Sequence, residues 1–491
     1  MYICRARSHK MNNTMLLHFD NCTLKLHDNT IFKGFNWTIQ KGENWVITGN
    51  SGSGKTSLLK AIEGKMRIAA GSVIYGNTYG QTAAFTALRN DAAFVYFQDS
   101  HIRYKNYYYQ QRYHSTEVEG TFTVADFLFG NSPTARQEFA QHNYPFEIGH
   151  QLDEEFIKLS NGENRKVLIT KALLRKPKIL ILDNPYNGLD QQSRNALNHS
   201  IDTIIAQGIS VILACNTDSF PSKMDHILLL DCMQVQQKQK IENSRNTSPR
   251  ELSTRFPLKF APPADNSFNI AVRLESVSIR YGEKQILKDI NWTIRRGEKW
   301  ALSGENGSGK TMLASLLNAD NPQAYAHKIT LFDKLRGPGQ SIWDVKERVA
   351  YLSPEQQIYQ QGQLTCRNTV LSVLREHPFK HRKPNSAELE MLDSLFTYFQ
   401  IEHLRDRPIH ELSTGQQRLV YFIRAIFKNP ALLILDEPFQ NFDHAHIAKA
   451  RELLDYFCIH RTLIFISHHV QEIPTCVNRH AQIHLGTLRL R

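Results

Sequence analysis

The chain has 491 residues, of which 41% are hydrophobic and 22% charged, a composition typical of globular protein with room for about two to four domains. No apolar run is long enough to cross a bilayer, and the first ten residues lack the apolar stretch of a secretion signal, so we expect any membrane role to be peripheral. The seven cysteines include no C-x-x-C pair, which disfavours zinc and iron–sulfur sites. The net charge of +12 favours polyanionic neighbours: nucleotide, nucleic acid or anionic lipid.

Short apolar segments alternate with helical patterns along the chain. We interpret 45–48, 179–182 and 211–214 as strands, and 57–62 and 164–174 as helices. This alternation predicts an α/β fold, with helices packed on the faces of a sheet.

The sequence repeats itself at an offset of 255 positions, the distance from Lys55 to Lys310. The run Asn36-Trp37-Thr38-Ile39 returns as Asn291-Trp292-Thr293-Ile294. A repeat this long predicts duplicated domains rather than a solenoid. We predict an N-terminal tail at 1–14, a first domain at 15–234, an irregular polar linker at 235–270 and a second domain at 271–491.

Each copy contains a glycine-rich loop of the pattern G-x-x-x-x-G-K-[ST]. In such Walker loops the backbone N–H groups surround nucleotide phosphates, the lysine reaches the β- and γ-phosphates, and the threonine hydroxyl binds Mg²⁺. The pattern predicts one ATP site per copy. The predicted residues are Gly49, Asn50, Ser51, Gly52, Ser53, Gly54, Lys55, Thr56 and Ser57 in the first copy, and Gly304, Glu305, Asn306, Gly307, Ser308, Gly309, Lys310, Thr311 and Met312 in the second.

Acidic residues end an apolar strand predicted at 431–435 in the second copy. Ligands bind at the carboxyl edge of α/β sheets, so we expect Asp436 to hold Mg²⁺ and Glu437 to orient or deprotonate the attacking water. His468, after the next apolar strand, is placed to contact the γ-phosphate. In the first copy Asp183 occupies the position of Asp436.

Together with Leu412-Ser413-Thr414-Gly415-Gln416, these motifs resemble the nucleotide-binding domain of ABC ATPases over nearly the whole chain, twice. The resemblance implies two P-loop domains in tandem, each with a helical subdomain, that pair head to tail within the chain. Each ATP would lie between one Walker loop and the signature of the opposite domain. Ser160 and Gly162 would then complete the second-copy site, and Ser413 and Gly415 the first-copy site.

The two copies differ at the predicted reaction centre. Asn184 stands in the first copy where the second has Glu437, and Asn216 stands at the position of His468. An amide positions water but does not accept a proton, and general base catalysis contributes about 10²–10⁴-fold. We therefore predict hydrolysis mainly at the second-copy site. The alternative is that both asparagines are tolerated in a first site that remains active.

Two further family positions also differ between the copies. Tyr281, which the resemblance assigns to stacking on adenine, aligns with Leu26 of the first copy. Gln98 matches the Q-loop glutamine that senses Mg²⁺ and the γ-phosphate, whereas the second copy has Pro354 there, with Glu355 or Gln356 as substitutes. The predicted Mg²⁺ ligands are Thr56, Gln98, Asp183, Thr311 and Asp436.

Three further segments resemble one particular group of ABC proteins. Asn321-Pro322-Gln323-Ala324-Tyr325, Ser341-Ile342-Trp343-Asp344-Val345 and Ser467-His468-His469 resemble the second half of ModF-type proteins, tandem ATP-binding proteins connected with molybdate transport and also called photorepair-type proteins. This implies a cytoplasmic ATPase, or one bound peripherally to the cytoplasmic face of the inner membrane, that acts through a separate membrane permease. The alternative, a ribosome-acting translation factor, is ranked lower because it would carry a long charged helical linker and a glutamate in both copies. The iron–sulfur ribosome-recycling type is excluded because no cysteine cluster lies near the N-terminus.

Overall fold

The computed structural model describes most of the chain. The described residues are 15–26, 29–49, 52–76, 78–79, 81–97, 122–130, 139, 144–156, 159, 161–187, 189, 191–215, 220–231, 234–240, 258, 260–263, 267–281, 284–305, 307–318, 321–337, 340–353, 364–377, 381–467 and 469–490. Almost all described residues before 241 form one unit, and those from 258 onward form a second.

The first unit contains two sheets. A four-stranded antiparallel sheet has the order β2-β1-β4-β5, with β1 Met15–Leu26, β2 Asn29–Gln40, β4 Arg67–Tyr75 and β5 Thr78–Tyr79. A six-stranded sheet has the order β10-β9-β3-β8-β7-β6, in which every pair is parallel except β9 with β10. Its strands are β3 Trp45–Gly49, β6 Ala92–Tyr96, β7 Ile179–Asp183, β8 Ser210–Ala214, β9 His226–Asp231 and β10 Gln234–Lys240.

Five α-helices connect these strands among the described residues of the first unit. They are α1 Lys55–Ile62, α2 Gln81–Asp91, α3 Val124–Phe129, α4 Asn161–Leu173 and α5 Gln191–Ala206, with a 3-10 turn at Gly149–Gln151.

The second unit repeats this architecture. Its four-stranded sheet has the order β12-β11-β14-β15 and its six-stranded sheet the order β16-β17-β18-β13-β19-β20, with β19 and β20 antiparallel. The strands are β11 Ile270–Tyr281, β12 Lys284–Arg295, β13 Lys299–Gly304, β14 Lys328–Leu331, β15 Lys334–Leu335, β16 Val349–Leu352, β17 Leu432–Asp436, β18 Thr462–Ile466, β19 Arg479–His484 and β20 Thr487–Leu490.

The described helices of the second unit include a helical subdomain between β16 and β17. The α-helices are α6 Lys310–Leu317, α7 Ile342–Arg348, α8 Cys366–Leu371, α9 Ser386–Tyr398, α10 Thr414–Phe427 and α11 His444–Phe457. Short 3-10 turns lie at Pro322–Tyr325, Ser372–Arg375, Glu402–Leu404, Ile409–Glu411, Cys458–His460 and Val470–Glu472.

The repeated tryptophans form the same core contact in both units. Trp37 meets Trp45 edge to face with ring centroids 5.4 Å apart, and Trp292 meets Trp300 at 5.5 Å. Edge-to-face packing suits the aromatic quadrupole. The conserved spacing of the repeat therefore reflects a shared core, and the predicted α/β fold of two tandem domains is confirmed.

Packing of β17 explains where its terminal acid lies. All five residues of this strand are buried, which is expected when helices cover both faces of a parallel sheet. Leu432 and Ile434 belong to the apolar cluster on one face, and Leu433 and Leu435 to the cluster on the other. Because strand side chains alternate, Asp436 continues the face of Ile434, the face on which α6 packs.

The predicted linker at 235–270 differs from the structure at both ends. Strand β10 extends to Lys240 and pairs with β9, because its backbone completes the edge of the first unit's sheet. At the other end, Phe260 packs edge to face on Phe457 with centroids 4.9 Å apart. Arg461 donates hydrogen bonds to the carbonyl of Ala261 and to Asn429, so this segment lies against the second unit.

None of the helices that the structure describes combines the length and the apolar composition that a membrane-spanning segment requires.

Candidate active sites

Each Walker loop begins at a glycine that no other residue could replace without displacement of the backbone. Gly49 and Gly304 have φ values of 146° and 154°. A Cβ on Gly49 would lie 2.0 Å from the carbonyl oxygen of Leu230, and one on Gly304 would lie 2.4 Å from that of Ile483. The loop is thereby held against the adjacent strand of the sheet.

The loops lead directly into helices. Gly54 and Gly309 precede α1 and α6 in the left-handed conformation, with φ of 98° and 106°. The first residues of the helices are Lys55 and Lys310, whose ammonium groups are buried against the loop. Lys55 Nζ donates to the Gly49 carbonyl at 2.6 Å, and Lys310 Nζ donates to the Gly304 carbonyl at 2.7 Å. A helix N-terminus with a lysine held beside it is suited to bind phosphate.

The other described loop residues lie with these groups. Gly52 and Gly307 adopt positive φ, Ser53 and Ser308 are buried, and Glu305 contributes a carbonyl to Lys310 Nζ at 2.7 Å. Ser57 and Met312 lie in the first turns of α1 and α6.

A threonine and an aspartate, both predicted Mg²⁺ ligands, form a hydrogen bond beside each loop. Thr56 Oγ1 donates to Asp183 Oδ2 at 2.9 Å, and Thr311 Oγ1 donates to Asp436 Oδ2 at 2.8 Å. Hydroxyl and carboxylate oxygens are the ligands that Mg²⁺ prefers, so both pairs fit this ion.

The residues after the two aspartates share one backbone conformation. Asn184 has φ 51° and Glu437 has φ 47°. Their N–H groups donate to Ala214 at 2.8 Å and to Ile466 at 2.9 Å, respectively. The left-handed region costs an ordinary residue about 1–2 kcal/mol but is tolerated by asparagine. The second copy therefore keeps a glutamate in a conformation that does not suit it.

The side chain of Asn184 is directed to its neighbour. Its Nδ2 donates to Asp183 Oδ1 at 2.9 Å, while Thr56 bonds Oδ2 of the same carboxylate. The amide thus stabilises the negative charge of Asp183, an interaction that a carboxylate in its place could not provide.

In the second site, the surroundings of Asp436 disfavour the ionised form of its carboxylate. Burial, followed by the nearby charge of Glu437, raises the pKa of Asp436 to about 6. The hydrogen bond from Thr311 and the charges of Lys310 and Arg418 act in the opposite direction. A bound divalent cation would stabilise a buried carboxylate that has a second carboxylate beside it.

Sequence reasoning missed Arg418, which is 1% exposed on α10. It donates to the carbonyl of Ser353, to that of Asp436 at 2.7 Å and to that of Glu437 at 3.1 Å. Burial lowers its pKa to about 10, so the guanidinium is charged at neutral pH. The sequence signal for this residue is an arginine on the apolar face of a helix. Arg418 lies three residues after Gly415 and four before Phe422, and both of these residues are buried.

The signature residues of the second unit lie at the start of α10. Ser413 is the N-cap of α10 and forms a capping box with Gln416, and Gly415 is buried in the first turn. Gly162 is the second residue of α4, and Arg165 lies where α10 has Arg418, with its guanidinium 5.6 Å from the centroid of the Phe97 ring.

Several predicted positions lie outside the described residues: Asn50, Ser51, Gln98, Ser160, Asn216, Asn306, Pro354, Glu355, Gln356 and His468. Tyr281 is the last residue of β11, and only its backbone is described.

Two Walker loops, each with a threonine–aspartate pair at the edge of a parallel sheet, define a tandem P-loop ATPase. The sequence profile of the family described as "ABC transporter" matches residues 32–187 and 287–440, so the chain belongs to this family, as its motifs predicted. It is an ABC-type ATPase.

Relatives align with this chain over most of their length. The chain is 32% identical over 460 residues to an "Uncharacterized ABC transporter ATP-binding protein" of Schizosaccharomyces pombe, covering 90% of this chain and 92% of the relative. It is 29% identical over 459 residues to the "ABC transporter ATP-binding protein ModF" of Escherichia coli, covering 87% and 89%. An "Uncharacterized ABC transporter ATP-binding protein" of Saccharomyces cerevisiae is 25% identical over 372 residues, with 66% and 68% covered.

Proposed function

We propose that this ABC ATPase binds MgATP behind both Walker loops but hydrolyses it mainly behind the second, with Glu437 as the general base. The observation that carries this proposal is the pair Asn184 and Glu437: one backbone conformation presents an amide in one copy and a carboxylate in the other. Only the carboxylate can accept the proton of the attacking water.

The contacts of the first copy support the same division. Asn184 donates its amide N–H to Asp183, so that site is arranged to stabilise a Mg²⁺-binding carboxylate without a base beside it. The first site would then bind nucleotide and close on it with little turnover.

Retention of Glu437 at positive φ supports a catalytic role in the second copy. Residues kept in sparsely populated backbone regions at a cost of about 1–3 kcal/mol cluster at functional sites. The costs of burial at Asp436 add to this strain in the same place. Nothing in the packing of β17 requires an acid after Asp436, because the first unit builds the same strand end with asparagine.

The remaining residues have supporting roles in this proposal. Thr56, Asp183 and Gln98 would hold Mg²⁺ in the first site, and Thr311 with Asp436 in the second; the ion neutralises charge on the transferred phosphate. His468 would contact the γ-phosphate and Tyr281 the adenine. Ser160 and Gly162 would complete the second site, and Ser413 and Gly415 the first, by pairing of the two domains within the chain.

We further propose that the ATPase cycle drives or regulates transport through a separate membrane permease, which would place the protein at the cytoplasmic face of the membrane. The names of the relatives as ABC transporter ATP-binding proteins support this role. Molybdate as the cargo follows from the resemblance to ModF-type proteins. The second candidate is action on ribosomes, and the asparagine at position 184 argues against it.

Paired substitutions test the catalytic asymmetry. Glu437→Gln should lower kcat at least about 100-fold, because the base is lost, and leave MgATP affinity unchanged. Asn184→Gln is the matched control, since it preserves the amide, and should change kcat little. Steady-state ATPase assays and equilibrium nucleotide binding give both parameters. Equal losses in the two variants would show that both sites depend on this position and would refute the asymmetry.

Affinity capture with the Glu437→Gln protein and ATP tests the partner. This variant should remain in the ATP-bound state, which stabilises complexes of the closed form. Recovery of an integral membrane permease in an ATP-dependent manner supports the transport role. Recovery of ribosomal subunits instead would replace it with the ribosomal one.

A further inference from the structure

Arg418 connects three parts of the second unit through main-chain carbonyls. From α10 it reaches the carbonyl of Ser353, just after β16, and the successive carbonyls of Asp436 and Glu437 at the end of β17. The distances to the last two oxygens are 2.7 and 3.1 Å. One planar group thus determines how two consecutive peptide groups are oriented.

Burying the charge of Arg418 costs free energy that packing alone does not require. The side chain is 1% exposed, and its Nε has no hydrogen-bond partner among the described residues. Carbonyl dipoles compensate a buried charge less completely than a carboxylate would. Apolar residues occupy the neighbouring buried positions of α10, so an apolar side chain at 418 would suit the packing alone.

The carbonyls that Arg418 holds belong to the strained turn at Glu437. There the N–H of Glu437 donates to Ile466 at 2.9 Å, and its carbonyl also accepts from the N–H of Gln440 at 3.3 Å. Positive φ at a glutamate persists only where its surroundings fix both flanking peptide groups. Arg418 is the side chain that fixes both carbonyls.

We propose that Arg418 is a positioning residue for hydrolysis: by fixing the carbonyls of Asp436 and Glu437, it sets the direction in which the Glu437 carboxylate leaves the backbone. This inference rests on the proposed role of Glu437 as the base. A small rotation of either peptide group would displace the carboxylate, and displacements of about 1 Å reduce rates on the order of 100-fold.

Lysine cannot perform this role. Its ammonium is a compact point charge, whereas the guanidinium presents several N–H donors in a rigid plane. Arg418→Lys therefore preserves charge and removes the simultaneous contact with three carbonyls. Arg418→Gln is a second variant, which preserves planar amide donors and removes the charge.

The first unit supplies a matched control. Arg165 stands three residues after Gly162 on α4, as Arg418 stands three after Gly415 on α10, and it lies near the Phe97 ring. The strand end of that unit carries Asn184 instead of a base. Arg165→Lys makes the same chemical change where no general base has to be aimed.

The experiment compares Arg418→Lys, Arg418→Gln, Arg165→Lys and Glu437→Gln with the double variant Arg418→Lys/Glu437→Gln. We expect Arg418→Lys to lower kcat at least about tenfold while KM and MgATP affinity stay within about threefold of the parent, and Arg165→Lys to leave kcat within about twofold. In the double variant, turnover should fall no further than in Glu437→Gln alone, because a positioning residue has no effect once the base is gone.

The outcomes separate the inference from the proposed function. If Glu437→Gln retains parental turnover, the proposed base is wrong. If Glu437→Gln is inactive but either Arg418 variant turns over at the parental rate, the positioning role is wrong. Loss of MgATP binding in both Arg418 variants, or a further loss in the double variant, would also overturn it, because arginine would then support the fold rather than the base.

Discussion

Replacing Asp436 by asparagine should make the nucleotide-free protein more stable, by an amount that depends on pH. Burial and the charge of Glu437 raise the pKa of Asp436 to about 6 from its ordinary 3.8. A raised carboxyl pKa means that the folded state binds the proton more tightly than the unfolded state does. The parent protein is therefore most stable at low pH and loses stability as the pH rises through 6, whereas the asparagine variant has no carboxylate to ionise. The parent's loss of folding free energy relative to the fully protonated protein is about 3 kcal/mol at pH 8 and roughly half of that at pH 5.

Thermal unfolding in EDTA without nucleotide measures this effect. Asparagine still accepts the hydrogen bond from Thr311, so Asp436→Asn should raise the Tm of the second unit by about 6–12 °C at pH 8 and by about half as much at pH 5. Asp406→Asn is the control, since that side chain is 72% exposed, and should show no such pH dependence. With saturating MgATP the order should reverse, because the parent gains more from the bound cation. A variant no more stable than the parent at pH 8, or equally stabilised at both pH values, would refute the reasoning.

The loop and signature give two further predictions. Gly304→Ala should destabilise the second unit far more than Gly297→Ala in urea denaturation, because the new Cβ at 304 would lie 2.4 Å from the Ile483 carbonyl oxygen. Gly297 also has positive φ but open space around it, so its substitution should cost only about 1–2 kcal/mol. Equal costs for the two variants would contradict this prediction. Ser413→Ala removes the N-cap of α10 and should lower the free energy of unfolding by about 1 kcal/mol. It should nevertheless lower kcat less than Ser160→Ala does. A larger loss of kcat in Ser413→Ala than in Ser160→Ala would count against hydrolysis at the second site.

The repeated sequence was sufficient to predict the fold. Two copies of one pattern, each alternating apolar strands with helices, predict two α/β domains, and the structure has two units with one strand order. The predicted strand at 179–182 corresponds to β7 and the predicted helix at 164–174 to α4. These predictions succeed because buried parallel strands are continuous apolar runs and surface helices are periodic, and both signals are local.

The end of the first unit could not be predicted in the same way. The segment Gln234–Lys240 is polar, and its composition predicts a linker from residue 235, but it forms the edge strand β10. An edge strand needs hydrogen bonds from one neighbour and no buried face, so its sequence carries little apolar signal. Its pairing with β9 is set by tertiary context.

The motifs predicted the candidate ligand-binding groups better than the side chains that hold those groups in place. The threonine–aspartate pairs lie within 2.9 Å of each other, as the loop pattern and the strand ends predict. Arg418 was missed because its partners are the main-chain carbonyls of Ser353, Asp436 and Glu437. Every residue has such a carbonyl, so the sequence identifies the unusual buried arginine but not its partners.

Three unfavourable features coincide at one point of the second unit. A glutamate at positive φ and a buried aspartate with a raised pKa lie at the end of β17, and a buried arginine of α10 donates hydrogen bonds to their carbonyls. The first unit has no such backbone strain, because asparagine tolerates positive φ. Asn184 also donates a hydrogen bond to Asp183, where a glutamate would repel it. A fold that can be built with the relaxed solution keeps the strained one only where something besides stability depends on it. The difference between the two strand ends therefore supports our proposal that hydrolysis takes place mainly in the second unit.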